Sequence, residues 1–224
     1  MPRLRSYGQY CGLAHALEIV GERWALLIIR DLVLGPKRFT DLRTGLPRIP
    51  TNVLSARLKE LESAGVVRRR TMPRPSAAVV YELTDYGAQL EDIVLRLGRW
   101  GASTLGEPGP EDIVTPDGEV LALRATFKPE AAVGVRARYQ VRVADVVVHA
   151  HVEDGTLIAG DGPLPAPDLV LEMDDISTHK PLLAGELTPE EAVAKGLVTV
   201  TGKPAEFKRF LKLFSVSTEG LPGD

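Results

Sequence analysis

After Gly106 the chain reads EPGPEDIVTPDG, three prolines and two glycines among mostly acidic residues, and its character changes across that break. Before the break, apolar residues recur with the 3.6-residue period of helices. After it, short β-rich runs take over. A stretch so rich in Pro and Gly neither propagates a helix nor enters a sheet interior, so it reads as a linker. Two cores are therefore expected: one domain at residues 1–105, a linker at 106–118 and a second domain at 119–218. The 224 residues suffice for both. Charge obeys the same division. Residues 1–103 hold 16 Lys and Arg against 10 acids, whereas 104–224 hold 11 against 20. The basic half is the candidate for a polyanionic partner.

Several classes are set aside early. The apolar run WALLII is cut by Arg30 and Asp31, far short of a membrane span. Arg3 and Arg5 precede no secretory core, because His15, Glu18 and Glu22 break up the apolar residues beyond them. A single cysteine, Cys11, excludes an intramolecular disulfide and fits a reducing cytoplasm, without a membrane partner.

In the first half, Leu13 to Val20 is a short helix, and Arg23 to Leu34 is a second, apolar nearly all round and stopped by Gly35-Pro36. A third, Phe39 to Arg43, has Thr40 as its expected N-cap. PTNVLSARLKELESAG is the clearest helix, with Leu54, Leu58 and Leu61 on one face and Gly65 closing its end. VVRRR and AVVYEL read as a hairpin with a long tip, and Thr84 caps a helix reaching Trp100. This is the order of a winged helix-turn-helix.

A recognition helix exposes small polar and cationic groups opposite its packing face. Here these are Asn52, Ser55, Ala56, Lys59 and Ser63, with Thr51 and Asn52 in the turn that enters the groove first and Arg48 placed to meet a phosphate. Arg38, Thr40 and Arg43 on the preceding helix, and Arg68, Arg70 and Arg74 on the hairpin, complete the candidate DNA-binding set. Strand alternation puts Arg68 and Arg70 on one face and Arg69 on the other. The alternative is an ordinary solvated face.

These residues carry a resemblance. Cys11, then GERWALLIIRDLVLGPKRFTDLR with Trp24, Gly35, Arg38, Phe39, Leu42 and Arg43, resembles the HxlR-type family of winged-helix regulators. PTNVLSARLKELESAGVVRR and YELTDYGAQL continue the pattern through Gly65, Leu83, Thr84 and Gly87. The resemblance implies a homodimer or higher homo-oligomer that places two recognition helices on a pseudo-palindromic double-stranded DNA operator, and a cysteine near the first helix able to act as a redox sensor.

In the second half LALRATF, VRARYQVRV, DVVVHAHV, TLIAG and DLVLEMD read as strands. Helices near 178–184 and 189–195, a strand LVTVTG and a helix at 204–214 come after them. The fold class expected is thus a mainly-α winged helix-turn-helix followed by an α+β domain with a mostly antiparallel sheet. The stretch from Pro167 to Phe214 resembles the sterol-carrier-protein family through Gly185, Glu186, Leu187, Pro189, Ala192, Gly196 and Gly202. That resemblance implies a five-stranded sheet, helices over one face and an apolar tunnel for a small hydrophobic ligand. Phe127, Val135, Tyr139, Val141, Leu183, Phe207, Phe210, Leu211 and Phe214 are the candidate lining, each also natural as core. His149 and His151 share a strand face without a third metal ligand, so no metal is assigned. Arg136, Arg138 and Arg142 share parity as well.

No nucleophile elbow, phosphate loop or zinc-protease signature is present, so an enzyme is not expected and no cofactor is assigned. The expectation is a regulator that binds its operator as a dimer and is modulated by an apolar ligand. Its rivals are a carrier or enzyme domain tethered to a DNA-binding module, an assembly domain, and a Cys11 thiol switch.

Overall fold

The computed structural model describes residues 6–216, so Arg3, Arg5 and the last two positions of the expected second domain lie outside it. The chain divides into two compact units, Met1–Val94 and Leu95–Asp224.

The first unit runs α1 (Gly12–Val20), α2 (Ala25–Val33), α3 (Phe39–Gly45), α4 (Thr51–Ser63), β1 (Val67–Thr71), β2 (Val79–Leu83) and α5 (Asp85–Ala88). Its core is built from Ile28, Ile29 and Leu32 on α2, Leu42 on α3 and Leu54, Leu58 and Leu61 on α4, all buried. Buried Leu46 and Ile49 anchor the turn between α3 and α4, which fixes the crossing of the two helices. Arg38, not Thr40, is the N-cap of α3: Thr40 already lies inside the helix, and the Asp41 carboxylate accepts from the Arg38 amide at 2.8 Å. The acid in the first turn decided the cap, by reaching back to an otherwise orphaned amide.

Strands β1 and β2 are antiparallel, with Arg68 opposite Glu82 and Arg70 opposite Val80. Lys37 pairs with Tyr81 on the other edge of β2, through bonds of 2.9 and 2.8 Å. Thr84 then caps only the short helix α5, its hydroxyl accepting from Gly87 N at 3.0 Å and donating to Gly65 O at 2.6 Å. A new helix, α6 (Leu90–Ser103), begins after Gln89. Gly87 is required by contact, since a Cβ there would stand 2.0 Å from Val66 O.

The second unit contains α7 (Pro116–Thr126), β3 (Arg136–Val143), β4 (Val146–Glu153), β5 (Thr156–Asp161), β6 (Leu169–Met173), α8 (His179–Ala184), α9 (Pro189–Ala194), β7 (Thr199–Gly202) and α10 (Pro204–Leu213). LALRATF is therefore helical up to Thr126, against the expected strand. Thr115 caps α7 by accepting from Gly118 N at 3.2 Å, Pro116 occupies the first turn, and Asp117 and Glu119 add acids there. Those start signals outweigh a short run that alternates by accident.

The five strands are ordered β5-β4-β3-β6-β7, with β3 and β6 parallel and the other pairings antiparallel, a mixed sheet. Ala137, Tyr139, Val141, Val143, Val148, Ala150, Val152, Leu169, Leu171 and Met173 are buried on one face, and α7 packs there over β4 and β5. The opposite face carries Arg138, Gln140, Arg142, His149 and His151 at partial exposure. The β5–β6 connection is fastened to them. His149 Nδ1 lies 3.0 Å from Gly162 O, Leu164 N donates to Gln140 Oε1 at 3.2 Å, and Arg138 binds Pro165 O. The polar residues of this face thus hold a crossover segment in place.

Candidate functional site

In the first unit the site is assembled on α4. Burial of Leu54, Leu58 and Leu61 turns Thr51, Asn52, Ser55, Ala56, Lys59 and Ser63 outward, and all six are exposed. Ser55 and Ser63 donate to the carbonyls of Thr51 and Lys59, at 3.0 and 2.8 Å, which leaves their oxygen lone pairs outward. Arg57, absent from the residues singled out in the sequence, is half-buried and pairs with Glu22 at 3.3 Å and with Glu60, clamping α4 to the α1–α2 connection. Its i, i+3 spacing to Glu60 is a local pattern, but the contact with Glu22 leaves none, because Glu22 belongs to another element.

Around α4, Arg38, Thr40, Arg43 and Arg48 are exposed, Arg48 already engaging a group of the chain. Arg38 Nη2 lies 3.4 Å from Ser76 Oγ, which brings the α3 N-terminus to the hairpin tip. Arg74 at that tip is exposed. Arg68 and Arg70 share a face, as alternation requires, and both bind Glu82. Arg68 Nε is 2.7 Å from Oε1, and Arg70 Nε and Nη2 are 2.9 and 2.8 Å from Oε2. The Arg70 and Arg68 guanidiniums hold the Glu82 carboxyl below the usual carboxylate range. Arg69 lies opposite Tyr81 on the other face.

Cys11 is exposed at the N-cap of α1, where the backbone amides of Ala14 and Leu13 lower its thiol pKa.

In the second unit four of the apolar candidates meet. Phe210 and Phe214 have ring centroids 4.7 Å apart, Tyr139 stands edge-on to both at 5.3 and 6.2 Å, and Phe127 lies 5.6 Å from Phe214. Tyr139, Phe210, Phe214 and Val141 are buried, as are Leu183 and Phe207, while Phe127, Val135 and Leu211 are half-buried. The Tyr139 hydroxyl has no hydrogen-bond partner among the described residues, and burial pushes its pKa up.

One further pair, Glu119 and His179, went unforeseen, because α7 and α8 lie far apart in the chain. Both are buried, with His179 Nδ1 3.1 Å from Glu119 Oε2 and Nε2 lacking a hydrogen-bond partner among the described residues. Burial opposes the imidazolium, but the Glu119 carboxylate outweighs it and the pKa of His179 is raised. A raised folded value stabilises fully below the unfolded pKa of about 6.5 and is lost as pH climbs through the folded value. Stability of the second unit is therefore expected to fall as pH rises above about 6.5. Urea titrations across that range should show the slope, and His179→Gln should flatten it. Among the described residues no three His, Cys, Asp or Glu gather as for a metal, and no helix is long and apolar enough to cross a membrane.

A family model described as HxlR-like helix-turn-helix matches residues 19–108. Over 85 residues the chain is 40% identical to the HTH-type transcriptional regulator YvaP of Bacillus subtilis (strain 168), covering 38% of this chain and 79% of that protein. It is 38% identical over 94 residues to the HTH-type transcriptional regulator YodB of the same organism, covering 42% of this chain and 83% of YodB. The solved reduced form of YodB from B. subtilis is 35% identical, covers 45% of this chain and 99% of its own, and gives a TM-score of 0.38.

Proposed function

The chain belongs, through its N-terminal region, to the HxlR-like helix-turn-helix family of transcriptional regulators, and from that premise we propose that it binds a pseudo-palindromic DNA operator as a cytoplasmic homodimer. The observation that carries this reading is α4, whose three buried leucines leave Asn52, Ser55 and Lys59 outward together. Asn pairs bidentately with adenine, Lys reaches guanine or phosphate, and the arginines of α3, the turn and the hairpin meet phosphates on either side.

In this proposal the second unit takes a small apolar ligand of the sterol-carrier kind, without turnover, and the ligand biases the dimer between geometries that fit or miss the operator. The five-stranded sheet with its helix-covered apolar face supports that reading, and the candidate contacts are the aromatic cluster with Val135, Val141, Leu183, Phe207 and Leu211.

The test is anisotropy titration of DNA from the upstream region of the protein's own gene, against random duplex, at two salt concentrations. A steep salt slope with a preference for the upstream fragment is expected, and equal affinity for both sinks operator recognition. Native mass spectrometry of the purified protein identifies any retained ligand. Operator affinity unchanged at ligand saturation removes the coupling.

A second reading rests on Cys11, which is exposed and has its thiol pKa lowered. Here oxidation or alkylation of Cys11 alters DNA binding. Near neutral pH the thiol is expected to alkylate faster in the folded chain than in urea, and an oxidant response that survives Cys11→Ser excludes the switch.

A further inference from the structure

Two arginines on the wing are held by one carboxylate. Glu82 sits on β2, which is paired on both edges, by β1 and by Lys37 at Tyr81, so its backbone is fixed. Its side chain is 11% exposed, while those of Arg68 and Arg70 are 59% and 42% exposed. Glu82 takes Nε of Arg68 on one oxygen and Nε and Nη2 of Arg70 on the other. No other residue among those described engages either guanidinium. Each guanidinium presents five N–H donors, so gripping the Nε side leaves donors of both turned to solvent. Two residues apart on a strand, their Cα atoms are separated by roughly 6.6 Å, a span that one tetrahedral oxyanion between the two forks can bridge.

We propose that Glu82 is a positioning residue and that Arg68, Glu82 and Arg70 form a preorganised clamp for a backbone phosphate. This rests on the DNA-binding reading above and deepens it. A free arginine must order its long side chain when it binds, whereas these two are already ordered by a carboxylate that never meets the phosphate itself. The cluster keeps a net positive charge, so the site still attracts an anion.

Charge counting and positioning give opposite signs for Glu82→Gln. Removing one negative charge from the wing, by itself, strengthens attraction to a polyanion. Loss of the clamp weakens it. The experiment titrates the full chain against a labelled random-sequence duplex, because phosphate contacts need no base sequence, over a series of salt concentrations.

Glu82→Gln is expected to bind roughly tenfold more weakly despite its gained positive charge. The slope of log affinity against log salt should shrink by about 0.9 for each phosphate no longer engaged. A loss of folded fraction lowers apparent affinity but leaves the slope in place, so the slope separates positioning from mere stability. Arg68→Lys and Arg70→Lys keep the charge but have no Nε–H fork, and both are expected to weaken binding; they decide the matter if Glu82→Gln does not fold. Equal or tighter binding by folded Glu82→Gln, or lysine variants that match wild type, overturns the clamp while leaving DNA binding intact. A wild-type chain that binds no duplex at low salt overturns the DNA-binding reading, and the clamp with it.

Discussion

Phe210→Ala is expected to cost the second unit about 3–5 kcal/mol, the range for deleting a fully buried aromatic ring. Phe210 is 2% exposed and stands 4.7 Å from Phe214 and 5.3 Å edge-on from Tyr139, so its removal opens a void lined by rings that cannot all collapse inward. The same substitution separates the two readings of the cluster. If these rings are close-packed core, the loss is large and no ligand restores it. If Phe210 lines a ligand tunnel, truncation widens an existing space, the loss is smaller, and an apolar probe such as decanol recovers stability in proportion to RT ln(1 + [L]/Kd). Thermal unfolding with and without decanol measures both. Because the chain forms two compact units, two transitions are expected, and only the one belonging to the second unit should move.

How much of this was legible beforehand depended on the distance over which each signal acts. The helix order of the first unit was readable because Leu54, Leu58 and Leu61 repeat at helical spacing and Gly65 ends the run, both local facts. Strand parity placed Arg68 and Arg70 on one face for the same reason. Their partner was not readable, because Glu82 meets them only once the hairpin register is fixed across 14 residues of sequence. The error at α7 was of another kind: LALRATF alternates like a strand, and the decisive cap lay outside it at Thr115 and Pro116. Phe210 and Phe214 were legible as an i, i+4 pair, but Tyr139 and Phe127 join them only through tertiary packing. Glu119 and His179 left no local trace, since a buried ion pair between distant helices has no spacing rule. Sites carried by one element were thus visible in advance, and sites assembled between elements were not.

The recognition helix provides the other large effect. Asn52 is exposed in the first turn of α4, the end that enters a major groove first. A bidentate Asn–adenine pair is worth about 1–3 kcal/mol of discrimination, and Asn52→Ala is expected to remove that much per half-site. A symmetric dimer engages two half-sites, so loss of preference for the operator over random duplex should reach about 2–6 kcal/mol, while random-duplex affinity stays nearly fixed. Lys59→Ala, about two turns further along the helix, should instead weaken both duplexes if it meets phosphate. Competition titrations of each variant against operator and random DNA distinguish the two patterns. If Asn52→Ala leaves the ratio untouched, Asn52 does not read a base. Specificity would then rest on the other outward groups of α4, Thr51, Ser55 and Lys59, or on the sequence-dependent shape of the duplex, sensed by the arginines that flank the helix.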